Sequence, residues 1–261
     1  MDNEVLRILI DERRAGAENM GVDEAILESV NAGETGATLR FYGWREPTIS
    51  LGYFQKFEEF SGQDEAIRKL AVVRRQTGGG AILHDDELTY SLVMPLTGKK
   101  ETEIVNLYRL MHDAFTEALR RWSAGVKYRG ERRGISEQKN GGKAAVHSQR
   151  GPFFCFARDH HLDLVIGEDK LLGSAQRRLK NAVLQHGSLI LGRRFKQQTS
   201  AELRKVVEED FTLSELIDLV SDQVGAKLGL PAGKGTFNAA EWRRVGPLSQ
   251  KYAGERWTRQ R

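Results

Sequence analysis

Over residues 20–32 the apolar positions Val22, Ile26, Leu27 and Val30 share one face, and the spacing predicts a helix. The segment ATLRFYGW (37–44) then alternates, with Leu39 and Phe41 on one side and Arg40 and Tyr42 on the other, as a strand does. Pro47 interrupts, and TISLGYF (48–54) is expected to return as the antiparallel neighbour of that strand. Residues 63–71 predict a helix, and 72–75 a short strand running into TGGGAILH (77–84). LTYSLVMPL (88–96) alternates cleanly. Residues 102–122 predict an amphipathic helix, with Val105, Leu107, Leu110, Met111, Phe115, Ala118 and Leu119 as its apolar set. GERRGISEQKNGGK (130–143) is polar and glycine-rich and reads as a mobile loop. Strands are expected at 152–157, 161–167, 170–178 and 182–191. Helices are expected at 212–228 and 239–252. Clustered antiparallel strands with helices between and after them give an α+β fold, with mixed or antiparallel sheets flanked by helices. With no repeat and no low-complexity linker, residues 1–261 are expected to form one domain with a helical C-terminus from about residue 200.

Composition narrows the setting. Hydrophobic residues make up 39% and charged residues 29%, the balance of a soluble globule. Apolar runs such as Leu189-Ile190-Leu191 fall far short of the roughly 20 residues a spanning helix needs, so no membrane role is expected. The first residues, MDNEVLRILIDERRAG, alternate acid and base and lack a signal-peptide core, which makes the cytoplasm the expected compartment. The net charge is +4, but the arginine pairs are scattered and form no basic block. Nucleic acid is therefore not an expected partner, and the charge suits steering of acidic ones.

Chemistry-bearing residues are few. Cys155 is the only cysteine, which rules out an internal disulfide and a Cys-rich metal site. It remains a buried hydrophobe, an incidental thiol or a nucleophile. A thiolate is the reactive form and a neighbouring cation favours it; Lys170 or one of His84, His147, His160, His161 and His186 could serve. An adjacent His160-His161 pair on a strand would point to opposite faces, a poor zinc site. HExxH and GxSxG are both missing, and no metal is expected. Gly78, Gly79 and Gly80 can turn the chain flexibly, or bring backbone N–H groups close to a ligand. Arg74 and Arg75 precede this run and His84 follows it. Lys170 opens a strand whose Gly173, Ser174 and Ala175 have little bulk. The lysine is either solvated or aimed at a carbonyl, and the small residues suit either a thin acyl chain or close sheet packing.

Four blocks together carry a resemblance. They are Asn19-Met20-x-x-Asp23-Glu24-Ala25, LRFYGWREPTISLGYFQ (39–55), RRQTGGGAILHDDELTYS (74–91) and DLVIGEDKLLGSAQRRLKNAVLQHGSLIL (163–191). In this order they resemble the lipoate/octanoate-protein ligase and transferase superfamily, which shares the biotin-protein ligase fold. Cys155-Phe156 before the lysine block and Gln185-His186-Gly187-Ser188 after it are similar to the single-cysteine bacterial octanoyltransferases. The resemblance implies a biotin/lipoyl-protein ligase-like catalytic domain. It implies Cys155 and Lys170 as catalytic, and Arg74, Arg75, Gly78, Gly79, Gly80, His84, Gly173, Ser174, Ala175 and His186 as substrate-binding. The implied donor is octanoyl-acyl carrier protein, and the acceptor a lysine of a lipoyl domain or a glycine-cleavage H-type protein. No cofactor is implied; ATP and Mg enter only on the alternative of an ATP-dependent lipoate-protein ligase. A transferase between lipoyl-accepting proteins is the other alternative. For Arg74 and Arg75 the resemblance leaves two roles, approach to the carrier's phosphopantetheine arm or a structural ion pair. Three departures stand out: the loop 132–142, which matches no family block, Asp163 where ligases often have Asn, and Glu168-Asp169 ahead of Lys170.

Overall fold

A computed structural model describes residues 5–96, 100–123, 125–132, 152–207 and 211–261. In chain order the elements are β1 (Leu6–Arg14), α1 (Gly16–Asn31), β2 (Thr38–Trp44), β3 (Thr48–Leu51), α2 (Phe57–Ser61), α3 (Glu65–Arg68) and β4 (Ala71–Arg74). Then come β5 (Ile82–His84), β6 (Glu87–Pro95), α4 (Lys100–Leu119), β7 (Lys127–Tyr128) and α5 (Arg129–Arg132). The remainder holds β8 (Leu164–Ile166), β9 (Asp169–Arg178), β10 (Ala182–Ile190), α6 (Leu213–Leu228), β11 (Ala232–Lys234), α7 (Ala239–Ala253) and α8 (Glu255–Thr258). This is the mixed α+β architecture that the alternation predicts. Of the expected loop at 130–143, residues 133–143 lie outside the described residues, as does His147.

The larger sheet has eight strands in the order β11-β1-β2-β6-β10-β9-β8-β7. From β2 through β6, β10, β9 and β8 to β7 the pairing is antiparallel. One face carries Leu39, Phe41, Tyr90, Leu92, Leu172 and Leu189, which join Met111, Phe115 and Leu119 of α4 and Leu216, Val220 and Val224 of α6 in the main core. This is why a period-two pattern in β2 and β6 meets a helical period in α4: both bury one face against the other. The other face is divided. Val93 and Leu184 pack on Val22, Ile26 and Leu27 of α1. Beside them Arg40, Ser91, His186, Thr89 and Ser188 make a buried polar layer under the smaller sheet.

The smaller sheet, β4-β3-β5, corrects one expectation. β3 does not pair with β2; it lies parallel to β4 and antiparallel to β5. The turn at Pro47 carries the chain from one sheet to the other. A second correction concerns 152–157. Its apolar run is not a strand but ends in a one-turn 3-10 helix at Cys155–Ala157. Short apolar runs do not distinguish strand from turn by periodicity. Here the backbone pairs with the glycine loop through a single parallel bridge, Ala81 to Phe154. His160 and His161 likewise stand in a turn before β8, with ring centres 4.5 Å apart, and not on opposite faces of a strand.

Candidate active site around Cys155 and Lys170

The glycine run is held from beneath by Arg75. Its Nη2 donates to the carbonyls of Gly78 and Gly80, both at 2.7 Å, and its Nη1 to the Ser50 carbonyl at 2.7 Å. Nε reaches Thr77 Oγ1 at 3.1 Å. Burial pulls this guanidinium down to about 10, although the charge of Cys155 opposes the shift. Two glycines are required by the space they leave. Gly79 sits at φ +95°, and a Cβ on Gly80 would fall 2.9 Å from both the Cys155 nitrogen and the Phe153 oxygen. That closeness lets the two segments join: Ala81 N donates to Phe153 O at 2.9 Å, and Cys155 N donates to Ala81 O at 2.7 Å.

Cys155 Sγ, partly exposed, lies 3.6 Å from where a Gly79 Cβ would stand. Lys170 comes from the start of β9 and is almost completely buried. Its Nζ is 2.9 Å from Asp163 Oδ1 and 5.2 Å from the centre of the Phe156 ring, the residue next to Cys155. The side chain runs across Gly173, where a Cβ would meet Lys170 Cε at 2.2 Å. Burial works against the ammonium, but the charges of Cys155 and Asp163 outweigh it, and the lysine is held above its ordinary range. Asp163 Oδ2 accepts the His160 N–H at 2.9 Å and lies 4.0 Å from Arg129 Nε.

The remaining sequence candidates occupy the shell behind this pair. Arg74 donates to the carbonyls of Gly52 at 2.9 Å, Gln55 at 2.6 Å and Thr258 at 3.0 Å. The partners of both arginines are thus largely backbone carbonyls. His186 bridges Thr77 Oγ1 at 2.7 Å and Asp23 Oδ2 at 3.3 Å. Asp23 also accepts from Arg40 Nη1 at 2.7 Å, Ser91 Oγ at 2.8 Å and Tyr42 OH at 2.9 Å. Burial alone would raise its pKa, yet His186 and Arg40 hold this carboxyl below its usual value. His84 contacts Ser50 Oγ at 2.7 Å and Glu87 Oε1 at 2.8 Å, and stacks on Trp44 at 3.7 Å. Burial lowers its pKa. His186 thus supports the loop directly through Thr77, while His84 reaches it only through Ser50, which Arg75 also holds. Gly78 is loosely placed, with Phe54 Cδ2 at 4.0 Å from its would-be Cβ. Ala175 pairs with His186 across the sheet. Ser174 Oγ contacts Tyr90 OH of β6 and His112 Nε2 of α4, both at 2.7 Å.

Sequence reasoning missed Gly52, whose Cβ would fall 2.0 Å from the Gly79 oxygen, and His112. His112 had a signal: it interrupts the apolar stripe of α4 one turn before Phe115 and one turn after Tyr108. Among the described residues no group of three or more His, Cys, Asp and Glu is placed to hold a metal ion.

Cys155, Lys170 and the loop lie within the span, residues 15–212, that matches the family model described as the lipoyl protein ligase A/B catalytic domain. The chain belongs to that family. An octanoyltransferase LipM from Anoxybacillus flavithermus is 38% identical over 197 residues, covering 73% of this chain and 67% of the relative. One from Exiguobacterium sibiricum is 30% identical over 276 residues, covering 96% of this chain and 97% of the relative. Some other octanoyltransferase LipM relatives are covered to a lesser extent, that from Moorella thermoacetica to 60% of its length at 40% identity. Among solved structures, a putative lipoate protein ligase from T. acidophilum with bound lipoic acid aligns with a TM-score of 0.76 at 23% identity, covering 98% of this chain and all of that one. That similarity establishes the family's fold for this chain. Among the described residues no helix is long and apolar enough to cross a membrane.

Proposed function

We propose that the chain is an octanoyltransferase of protein lipoylation, working as one catalytic unit through a thioester on Cys155. The reading rests on one observation above all: Cys155 is fastened to the glycine loop while the buried Lys170 ammonium is held beside the same turn. The relatives' names support it. The donor is octanoyl-acyl carrier protein. Its thioester is already activated, so transfer needs no ATP. Cys155 thiolate attacks the carbonyl carbon, the carbonyl becomes an oxyanion, and Lys170 Nζ stabilises that charge in a water-poor site. Collapse expels the carrier's thiolate, which takes a proton, and leaves octanoyl on Cys155. A lysine amine of a lipoyl domain or an H-type protein then attacks this second thioester. An amide forms, the amine loses a proton, and Cys155 leaves as thiolate. The exchange between thioesters is near balance, and amide formation runs downhill.

Arg75 and Arg74 act as scaffolding, since their donors are directed largely at backbone carbonyls. Gly79 and Gly80 line the reacting carbonyl, with Gly173 as the floor beneath Lys170. The test is an intact mass after mixing with octanoyl-acyl carrier protein without ATP. One added octanoyl group, released by hydroxylamine and missing in Cys155→Ala, is the expected result. No adduct, together with ATP-dependent modification of a lipoyl domain by free lipoate or octanoate, would make the chain a ligase.

A further inference from the structure

The reaction above uses nothing from α4, yet α4 sends two polar side chains to the site: Tyr108, whose OH donates to the Ser174 carbonyl at 3.2 Å, and His112, which alone reaches two segments. His112 is buried, and its two ring nitrogens reach two different segments. Nδ1 lies 2.5 Å from the Leu162 carbonyl and Nε2 lies 2.7 Å from Ser174 Oγ. A carbonyl only accepts, so Nδ1 carries the proton. Burial pulls the imidazole down to about 4, so it is neutral near pH 7 and Nε2 accepts from the Ser174 hydroxyl. The rest of the chain of bonds is then fixed. Gln176 Nε2 donates to Gln185 Oε1 at 2.7 Å, and Gln185 Nε2 donates to Tyr90 OH at 2.8 Å. Tyr90 in turn gives its proton to Ser174 Oγ.

The two segments that His112 ties together are the two walls of the Lys170 slot. Leu162 precedes Asp163, whose Oδ1 holds the ammonium at 2.9 Å. Ser174 follows Gly173, over which the Lys170 stem lies. A shift of either wall would move Nζ. We propose that His112 is a positioning residue for Lys170, its single ring fixing both the segment that carries the lysine's carboxylate partner and the segment on which its side chain rests. A neutral ring suits that task, because an imidazolium here would repel the ammonium and compete for Asp163. The charged and titratable groups around the ring are Tyr90 from β6, Tyr108 from its own helix, Tyr128 from β7, Lys170 from β9, and Asp163 and His160 from the turn before β8.

The proposal rests on the transferase reading for what Lys170 does, but the alkylation part of its test does not depend on a donor. The pH dependence of Cys155 alkylation by iodoacetamide would be measured in wild type, His112→Gln, Lys170→Met and the double variant, alongside kcat and KM for octanoyl transfer and the melting temperature. Gln keeps an acceptor near Ser174 and releases Leu162. We expect His112→Gln to lower kcat by about 100-fold, the cost of roughly an ångström of misplacement, with KM little changed. Its alkylation profile should move in the same direction as that of Lys170→Met. In the Lys170→Met background it should cost nothing further. A lower melting temperature with a wild-type alkylation profile and wild-type kcat would overturn the proposal, as would an equal loss in both backgrounds. Should His112→Gln fail to fold, Ser174→Ala removes one hydroxyl and carries the same comparison. If no form transfers octanoyl, the transferase reading fails, and the alkylation profiles still decide whether His112 acts through Lys170.

Discussion

Gly173 is small because Lys170 passes over it, which gives a sharp expectation. Gly173→Ala would place a methyl 2.2 Å from Cε and 2.7 Å from Nζ. The flexible stem will yield, so the fold should survive while the ammonium leaves Asp163. Single-turnover octanoyl transfer should slow by about 100-fold, and a rate within a few-fold of wild type would show that the lysine need not lie there. The buried imidazole beside this slot sets an acid sensitivity. His112 titrates at about 4 in the fold against an ordinary 6.5, so between those values the unfolded chain binds the extra proton. Stability should therefore rise with pH across that window and fall on acidification, by up to about 3 kcal/mol from this group. His84, also lowered by burial, adds to the same slope. Urea midpoints at pH 7 and pH 5 should differ less in His112→Gln than in wild type. Of the residues themselves, the cysteine, the lysine block and the glycines were legible as a set. What their neighbours do was not, because a hydrogen bond such as His112 to Ser174 spans 62 positions and leaves no local pattern.

At the scale of elements, the glycine loop separates two kinds of glycine. Gly80→Ala would push into the Cys155 nitrogen and the Phe153 oxygen and open the bridge between Ala81 and Phe154. A loss of about 1–3 kcal/mol is expected from such overpacking. Gly78→Ala meets nothing nearer than 4.0 Å and should leave the urea midpoint close to that of wild type. Equal losses in the two variants would mean that flexibility, and not space, is what the loop requires. The sequence announced β2 and β6 by alternation and α1 and α4 by helical spacing, and offered β9, β10, α6 and α7 as strand or helix runs without either period. β1 stayed hidden because its nine residues mix buried Leu6, Ile8 and Leu9 with Arg7, Asp11, Glu12 and an exposed Ile10. The partner of β3 was invisible for a different reason. Proximity in sequence suggested β2, but its partners β4 and β5 follow after α2 and α3.

For the whole molecule, the C-terminal helices are part of the site's foundation. α7 crosses α1 closely enough that a Cβ on Gly21 would fall 2.8 Å from the Ser249 backbone nitrogen. α8 then closes on the strand leading into the loop through a reciprocal pair: Arg74 Nε donates to the Thr258 carbonyl at 3.0 Å, and Trp257 Nε1 donates to the Arg74 carbonyl at 2.8 Å. Trp257→Ala removes one of the two. Amide hydrogen exchange at Gly78, Gly79 and Gly80 should then quicken by about tenfold, the equivalent of about 1.4 kcal/mol of lost local stability. Unchanged exchange there would confine the role of α8 to its own surroundings.

That reciprocal pair also orders events in time. Thr258 leaves the ribosome 184 residues after the arginine it secures. The cysteine and both walls of the lysine slot are made long before it. A nascent chain thus carries every reacting group before it gains the clasp that steadies the glycine loop, and the loop's support is the last part of the site to be made.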